Sequence, residues 1–220
     1  MMEKRFERNM GAISAEEQTR LHRCKIFIAG CGGVGGMLLE NMARLGVGHI
    51  TCADSDVFEA SNLNRQILAL EQTLGQKKAA CAAARVRQIW SACDIRAVYE
   101  KIDAQNLPRL IEGANLVLDT LDNAQGRLAL AAACRDANIP LAHGAASGWQ
   151  AQAAIIRPDK NLYDLLYLSG QRQKDGVLPF AAAAAAAMQA ALAANYLCGR
   201  HSDALYMLDL HAMRTETIAF

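Results

Sequence analysis

The stretch Lys25-Ile26-Phe27-Ile28-Ala29-Gly30-Cys31-Gly32-Gly33-Val34-Gly35 decides the fold of this chain. A short apolar run, long enough for one buried strand, passes directly into a Gly-x-Gly-Gly-x-Gly turn. Helical periodicity then holds from Met37 to Leu45, and Gly46 stands where a left-handed cap ends a helix. A second strand, His49 to Ala53, ends on Asp54. Strand, glycine turn, helix and strand within 30 residues form a βαβ unit of a parallel sheet.

The alternation continues on both sides of this unit. Before it, Ser14 to Arg23 reads as an opening helix, with Ser14 as N-cap and Glu17 as its capping-box partner. After it come a polar stretch from Ser55 to Thr73, a helix from Gln76 to Gln88, a strand from Ile95 to Tyr99 and a helix from Ala104 to Ile111. Leu116 to Leu118 forms a strand running into Asp119 and Asp122; a helix from Ala124 to Ala137 leads to Pro140-Leu141-Ala142, which runs into His143. Downstream the pattern changes to a strand from Ala151 to Ile156, a long irregular stretch, an alanine-rich helix from Leu178 to Leu197 and late strands at Leu205–Leu208 and Glu216–Ala219. The expectation is one α/β domain over residues 1–220: a Rossmann-like, doubly wound, mostly parallel sheet with antiparallel strands added in the C-terminal third. Residues 1–24 are its N-terminal arm and helix, 25–145 its nucleotide-binding core and 146–220 its completion. The run Ala181–Ala187 reads as a helix packed closely on the sheet, since alanine favours helix and lets backbones approach.

Composition excludes several classes. Hydrophobic residues are 52% and charged residues 20% of the 220, an ordinary globular mix, which argues against disorder and fibrous structure. A net charge of +1 provides no overall field for nucleic acid or anionic lipid, so any anion site is local. Seven cysteines at irregular spacing, without a Cys-x-x-Cys pair, make a poor disulfide or zinc framework. The N-terminus, Met1 to Asn9, is charged and lacks the apolar core of a secretory signal. The apolar run Val177–Met188 has 12 residues and contains Pro179, short of a membrane span. A soluble, cytoplasmic protein without membrane attachment is expected.

The glycine turn brings free helix N–H groups and an approachable backbone to a phosphate, and Asp54, 24 residues beyond Gly30 at the end of strand two, stands where a carboxylate takes a ribose hydroxyl. The residues beyond Asp54 add cations and amides: Asp56, Ser61-Asn62-Leu63-Asn64-Arg65-Gln66 and Gly75-Gln76-Lys77-Lys78. A single diphosphate is satisfied by backbone and helix dipole, whereas a triphosphate under attack needs side-chain cations, which Arg65 and Lys78 supply. Asp119 and Asp122-Asn123 place carboxylates at the same sheet edge, where magnesium on phosphates is held. Cys31 reads as a small turn residue, and His143, at a strand end, as structural or site-bordering.

Together these pieces resemble the ThiF/MoeB/HesA family, the ubiquitin-activating-enzyme-like adenylyltransferases of sulfur carrier proteins. The resemblance is carried by Arg5-Phe6-Glu7-Arg8, the turn from Gly30 through Gly32 and Gly33 to Gly35, Gly46-Val47-Gly48, Asp54-Ser55-Asp56, Ser61 to Gln66, Gly75 to Lys78, Leu118 to Asn123, Pro140 to Ala146 and Gly176-Val177. It implies that ATP is bound with Gly33 against the phosphates and Asp54 on the ribose. Ser61, Asn62, Leu63, Asn64 and Arg65 would line the nucleotide, Asn62 and Arg65 toward the phosphates. Lys78 would contact the phosphates, Asp122 would position Mg2+ and Asn123 would sit beside it. Arg8 matches an arginine that crosses a homodimer interface into the partner's site. The implied reaction joins the C-terminal glycine carboxylate of a small ubiquitin-like sulfur carrier ending in Gly-Gly to the α-phosphorus of ATP, releasing pyrophosphate. Residues 146–220 would face that carrier.

Two departures stand out. The two Cys-x-x-Cys pairs that hold zinc in many members are missing, so no zinc is expected; Leu162, Tyr163, Leu165 and Leu166 would close that corner instead. Arg172 occupies the position of a thiol found in some members, which leaves adenylylation as the only supported step. The alternative, a threonylcarbamoyladenosine-tRNA dehydratase-like activation of a tRNA-linked carboxylate, sits less well with the near-neutral charge.

Overall fold

A computed structural model describes residues 3–160, 162–167 and 176–220, with only the backbone of Asp164 and Leu165. After a 3-10 turn at Lys4–Asn9 come α1 (Ala15–Arg23), β1 (Lys25–Ala29), α2 (Gly33–Leu45), β2 (His49–Ala53), α3 (Lys78–Ile89), β3 (Asp94–Val98), α4 (Leu107–Leu110), β4 (Leu116–Asp119) and α5 (Ala124–Asp136). The chain continues through β5 (Leu141–Ser147), β6 (Gln150–Ile156), α6 (Leu162–Tyr167), α7 (Pro179–Leu197), β7 (Ala204–Asp209) and β8 (Arg214–Ala219). The described strands form one sheet in the order β3-β2-β1-β4-β5-β6-β7-β8, parallel from β3 through β5 and antiparallel beyond. The expected mixed sheet is therefore present.

Each parallel strand alternates between two helical layers. Ile26 and Ile28 of β1 join Leu38, Leu39 and Met42 of α2 and Ala186, Ala190 and Ala193 of α7 in one core. Phe27 and Ala29 turn the other way, to Leu107 and Leu110 of α4, Leu130 of α5 and Tyr163 of α6. Burial on both faces is why β1 reads as a continuous apolar run from Ile26 to Ala29. The Ser14 capping box at α1 is present: Glu17 N–H donates to Ser14 Oγ at 3.1 Å and Ser14 N–H to Glu17 Oε2 at 2.7 Å. By length and apolarity α7, with 19 residues, would pass for a membrane span and outruns the 12-residue stretch read from sequence. Its alanines instead lie against β5, β6 and α2, and Ala181, Ala182, Ala185, Ala186 and Ala193 are wholly buried.

Two sequence expectations change, besides the appearance of α6 within the stretch read as irregular. α2 begins inside the glycine turn at Gly33 instead of at Met37, and Gly46 ends it with φ +91°. α4 spans four residues, not Ala104–Ile111, because Asp103 and Asn106 form a side-chain-capped turn and Pro108 admits helix only after it.

The strand order reverses between β1, which is followed outward by β2 and β3, and β4, which starts the other half. At that point α2 sits hard against the end of β1: a Cβ on Gly35 would lie 2.1 Å from Gly30 O and 2.6 Å from Thr120 Oγ1. We expect Gly35→Ala to cost about 3 kcal/mol or more in a denaturant melt, as overpacked sites do. Gly75→Ala, at φ +77° with open space around it, should cost only about 1–2 kcal/mol, the penalty of a left-handed conformation.

Candidate active site

Crevices of such sheets lie outside the C-terminal strand ends where the order reverses, and a cavity of about 1050 Å³ occurs there. Its floor is the β1–α2 turn with Gly30, Gly32, Gly33 and Val34; β2 contributes Ala53 and Asp54, and β4 leads into Thr120, Leu121, Asp122 and Asn123. Arg65, Gln66 and Lys78 close one side, while Ala145, Ala146, Ser147, Gln150 and Gln152 extend the wall along β5 and β6.

The glycine side is built to meet an anion. α2 has no side-chain cap and no acidic residue in its first turn, so its leading N–H groups and the positive end of its dipole face the cavity. Arg65 is braced there: Nη1 donates to Ser61 O at 3.0 Å and to Asn64 Oδ1 at 2.8 Å. Lys78, buried at the start of α3, holds Asp56 Oδ2 at 3.0 Å. Asp54 accepts the N–H of Cys31 at 2.7 Å and of Asp56 at 2.8 Å, which fixes its carboxylate at the strand end. Burial raises its pKa, and those two hydrogen bonds and nearby Lys78 offset part of the rise. The Cys31 thiol is wholly buried and held well above its ordinary pKa, first by the Cys52 sulfur and then by burial, so it is a packing residue and not a nucleophile.

Of the residues singled out in the sequence, Gly30, Gly32, Gly33, Asp54, Arg65, Lys78, Asp122 and Asn123 meet on this cavity. Gly35 lies beneath the turn as a packing glycine. Ser61, Asn62, Leu63 and Asn64 are not among the lining residues; Asn62 turns inward, accepting Glu59 N–H at 3.2 Å within the 3-10 turn Ala60–Asn62. Asn123 Oδ1 caps α5 by accepting Gly126 N–H at 2.7 Å, and its Nδ2 is 3.4 Å from Asp122 Oδ1. Arg8 is exposed in the N-terminal 3-10 turn, apart from the lining. Arg172 and the side chain of Leu165 lie outside the described residues.

Residues 6–219 match the ThiF family along nearly the whole chain. The chain belongs to the ThiF family. It is 34% identical over 158 residues to the SAMP-activating enzyme E1 of Haloferax volcanii, covering 72% of this chain and 58% of that protein. It is 30% identical over 161 residues to the molybdopterin-synthase adenylyltransferase of Haemophilus influenzae, covering 72% of this chain and 66% of that one. The chain thus spans between about half and two thirds of the length of these relatives. A crystal structure of Escherichia coli MccB with AMPCPP and MccA shares the fold, with a TM-score of 0.86 over 98% of this chain and 71% of that chain at 21% identity.

Within and behind the cavity wall this ThiF-family chain carries a polar network that the sequence pattern did not assemble. Asp119, wholly buried at the end of β4, lies 2.9 Å from Arg127 Nη1 of α5. Its Oδ2 also accepts the hydroxyl of Tyr163 from α6 and faces His143 Nδ1 of β5 at 3.4 Å. Arg127 spreads further, to Leu121 O, to Gly144 O at 3.2 Å and to Tyr167 OH at 3.0 Å. Gln152 Nε2 lies 3.0 Å from His143 Nε2. Burial by itself would raise the Asp119 carboxyl, but Arg127, His143 and Tyr163 outweigh it and hold the group below the usual carboxylate range. Asp119 and His143 are register partners on neighbouring strands, and Arg127 falls one turn beyond the Asn123 cap. That pattern, an acid and a histidine at adjacent strand ends with an arginine one turn into the next helix, was the available signal.

A depressed folded-state pKa stabilises the fold above the unfolded value, about 3.9 for Asp, and the gain disappears as pH falls through the lower folded value. Asp119→Ala leaves Arg127 buried and uncompensated, and should cost about 3–5 kcal/mol at pH 7. The stability deficit, read from urea melts at pH 7 and pH 3, should shrink at the lower pH; an equal deficit at both would remove the charge-pair account.

Proposed function

We propose that this chain is an ATP-dependent adenylyltransferase that activates the C-terminal carboxylate of a small ubiquitin-like carrier protein. The observation that carries the reading is the meeting, at one strand-order reversal in a ThiF-family chain, of an uncapped helix N-terminus with Arg65, Lys78 and Asp122. Similarity to a SAMP-activating enzyme and to a molybdopterin-synthase adenylyltransferase supports the same reaction class.

In this reading, Asp54 takes the ribose, the glycine turn receives the phosphates, and Arg65 and Lys78 balance charge on the departing pyrophosphate. The carrier's terminal carboxylate attacks the α-phosphorus; an acyl-phosphate bond forms as the bond to the β-phosphate breaks, giving acyl-adenylate and pyrophosphate. No covalent enzyme intermediate is needed, so the chain's contribution is positioning and electrostatics. Ala145, Ala146 and Ala151 leave the β5–β6 wall unobstructed, which suits a tail without bulky side chains such as Gly-Gly. Asp122 is an exposed carboxylate on the rim, and one carboxylate joined by phosphate oxygens and water is the donor set magnesium favours. Asp122 would hold the ion, which would neutralise charge on the phosphates.

With Mg-ATP and its carrier the protein should exchange labelled pyrophosphate into ATP, because acyl-adenylate formation reverses. Lys78→Ala and Asp122→Ala should each lower that exchange about a hundredfold or more, as single transition-state contacts do. Near-normal exchange in both variants would remove the site assignment.

Arg8 lies apart from its own cavity, and in the proposed homodimer it enters the neighbour's. Arg8→Ala and Lys78→Ala dimers should each be nearly inactive. After verified subunit exchange their mixture should recover toward about a quarter of wild-type activity, since half the dimers are mixed and each has one intact site of two. A mixture as inactive as its components would exclude a trans role.

A further inference from the structure

On the β5–β6 side the cavity is walled by neutral groups. Ala145, Ala146, Ser147, Gln150, Ala151 and Gln152 line it there, none of them charged, whereas Arg65 and Lys78 line it together with the glycine turn. Ala145, Gln152 and Met207 are register partners across β5, β6 and β7, and Ser147, Gln150 and Asp209 form the next row on the same face. Gln150 and Gln152 therefore share one face of β6, about 7 Å apart at two residues along a strand. Gln152 is 7% exposed, and one end of its amide is engaged: Nε2 lies 3.0 Å from His143 Nε2. The other end has no hydrogen-bond partner among the described residues, and it opens on the cavity instead of being sealed in the core. The Gln150 amide, exposed on the same wall, is also without a partner among the described residues. A polar side chain this deeply buried calls for a partner at both ends, and His143 accounts for one.

We propose that Gln150 and Gln152 are specificity-determining residues that hold the main chain of an extended peptide tail, which enters past Gln150 and ends beyond Gln152; this rests on reading the substrate as a carrier protein's C-terminus. An extended chain presents an N–H and a C=O on the same edge at every second residue, about 7 Å apart, which matches the spacing of the two glutamines. A peptide group offers both a donor and an acceptor, so it completes each amide whichever end faces it. A phosphate or carboxylate offers acceptors only and leaves an amide oxygen unmatched. The direction of the tail follows from the sheet. Gln152 is the inner residue, against His143, whose register partner Asp119 ends β4, and Thr120 to Asn123 follow it on the cavity wall. Gln150 is the outer one, at the start of β6. Recognition through main-chain groups reads the extended shape of the tail and leaves its side chains unread at these two points.

The probe is a synthetic hexapeptide, Ala-Ala-Ala-Ala-Gly-Gly, with a free carboxylate, titrated at millimolar concentration into isotope-labelled protein and followed by NMR. The side-chain amide signals of Gln150 and Gln152, assigned by their loss in Gln150→Met and Gln152→Met, should shift as the peptide saturates. Each substitution should weaken the peptide about two- to tenfold, the worth of one neutral hydrogen bond, and the double variant should lose about the product. Affinity for Mg-ATP should stay within about twofold in all three, since no bond to the nucleotide is lost. Methionine keeps the length of glutamine, and Gln150 is exposed, so Gln150→Met tests the proposal even where Gln152→Met melts lower. Methylating the peptide's backbone nitrogens singly should weaken binding most at alternate positions. Amide signals that stay in place, unchanged peptide affinity in the double variant, a loss of Mg-ATP affinity as large as that of the peptide, or equal losses on methylation at consecutive positions would each overturn the proposal. Glutamine-dependent peptide binding by a protein that exchanges pyrophosphate with no carrier would overturn the adenylylation reading and leave the two contacts standing. Exchange with a carrier whose KM is the same in wild type and double variant would overturn the contacts and leave that reading standing.

Discussion

The close approach of α2 to the end of β1 is the constraint on which the site depends. Gly30, at φ +98°, turns the chain out of the sheet, and Gly35 brings the helix backbone so near that no side chain fits between Gly35 and Gly30 O. Thr120 Oγ1 ties the same corner to β4, bonding Ala29 O at 2.8 Å. Because the first turn of α2 consists of Gly33, Val34, Gly35 and Gly36, segment 65–68 can lie directly on it. Three separate stretches of sequence therefore converge on one set of free N–H groups, and none of them would hold that arrangement alone.

The two arginines beside the cavity have different tasks, set by their partners. Arg127 is buried against Asp119, and its remaining donors are used on Leu121, Gly144 and Tyr167, so its charge is neutralised within the fold. Among the described residues, Arg65 is braced by a backbone carbonyl and an amide oxygen, neither of them an anion, and its charge remains available. The Asp119 network also anchors α6 through Tyr163 and Tyr167, which gives that corner a polar tether in addition to the apolar contacts of Leu162 and Leu166 expected from sequence.

The legibility of each element follows from where its stability arises. β1 and β2 fall on the residues read from sequence; β1, buried on both faces, leaves an unbroken apolar run from Ile26 to Ala29, and β2 buries Ile50, Cys52 and Ala53. The start of α2 was hidden because glycine has poor helix propensity, and only tertiary contacts, Gly30 against Gly35 and segment 65–68 against Gly33 and Gly36, explain why three glycines belong in its first turn. α6 is six residues long and is held by tertiary hydrogen bonds to Asp119 and Arg127, so local periodicity carries little of it. In the site, the residues at strand ends and in the glycine turn were readable because position on a parallel sheet dictates their place. The stretch Ser61–Asn64 was harder, since a 3-10 turn draws Asn62 inward and none of the four lines the cavity.

Charge along the cavity wall gives the proposed chemistry its last constraint. Asp54, Asp56, Glu100, Asp103 and Asp122 set five carboxylates against the four cations Arg65, Lys78, Lys101 and Arg127. Arg127 is already neutralised by Asp119, and Lys78 is paired with Asp56. A bare triphosphate would therefore enter a wall with little net positive charge to oppose its own. Arg65 and Lys78 line the cavity together with the glycine turn, and Asp122 and Asn123 enter it from the end of β4. In the proposed function the exposed Asp122 carboxylate would repel a bare polyphosphate and favour one that arrives with a divalent cation. In the proposed adenylylation, the nucleotide would therefore enter in a metal-bound form and not as the free anion.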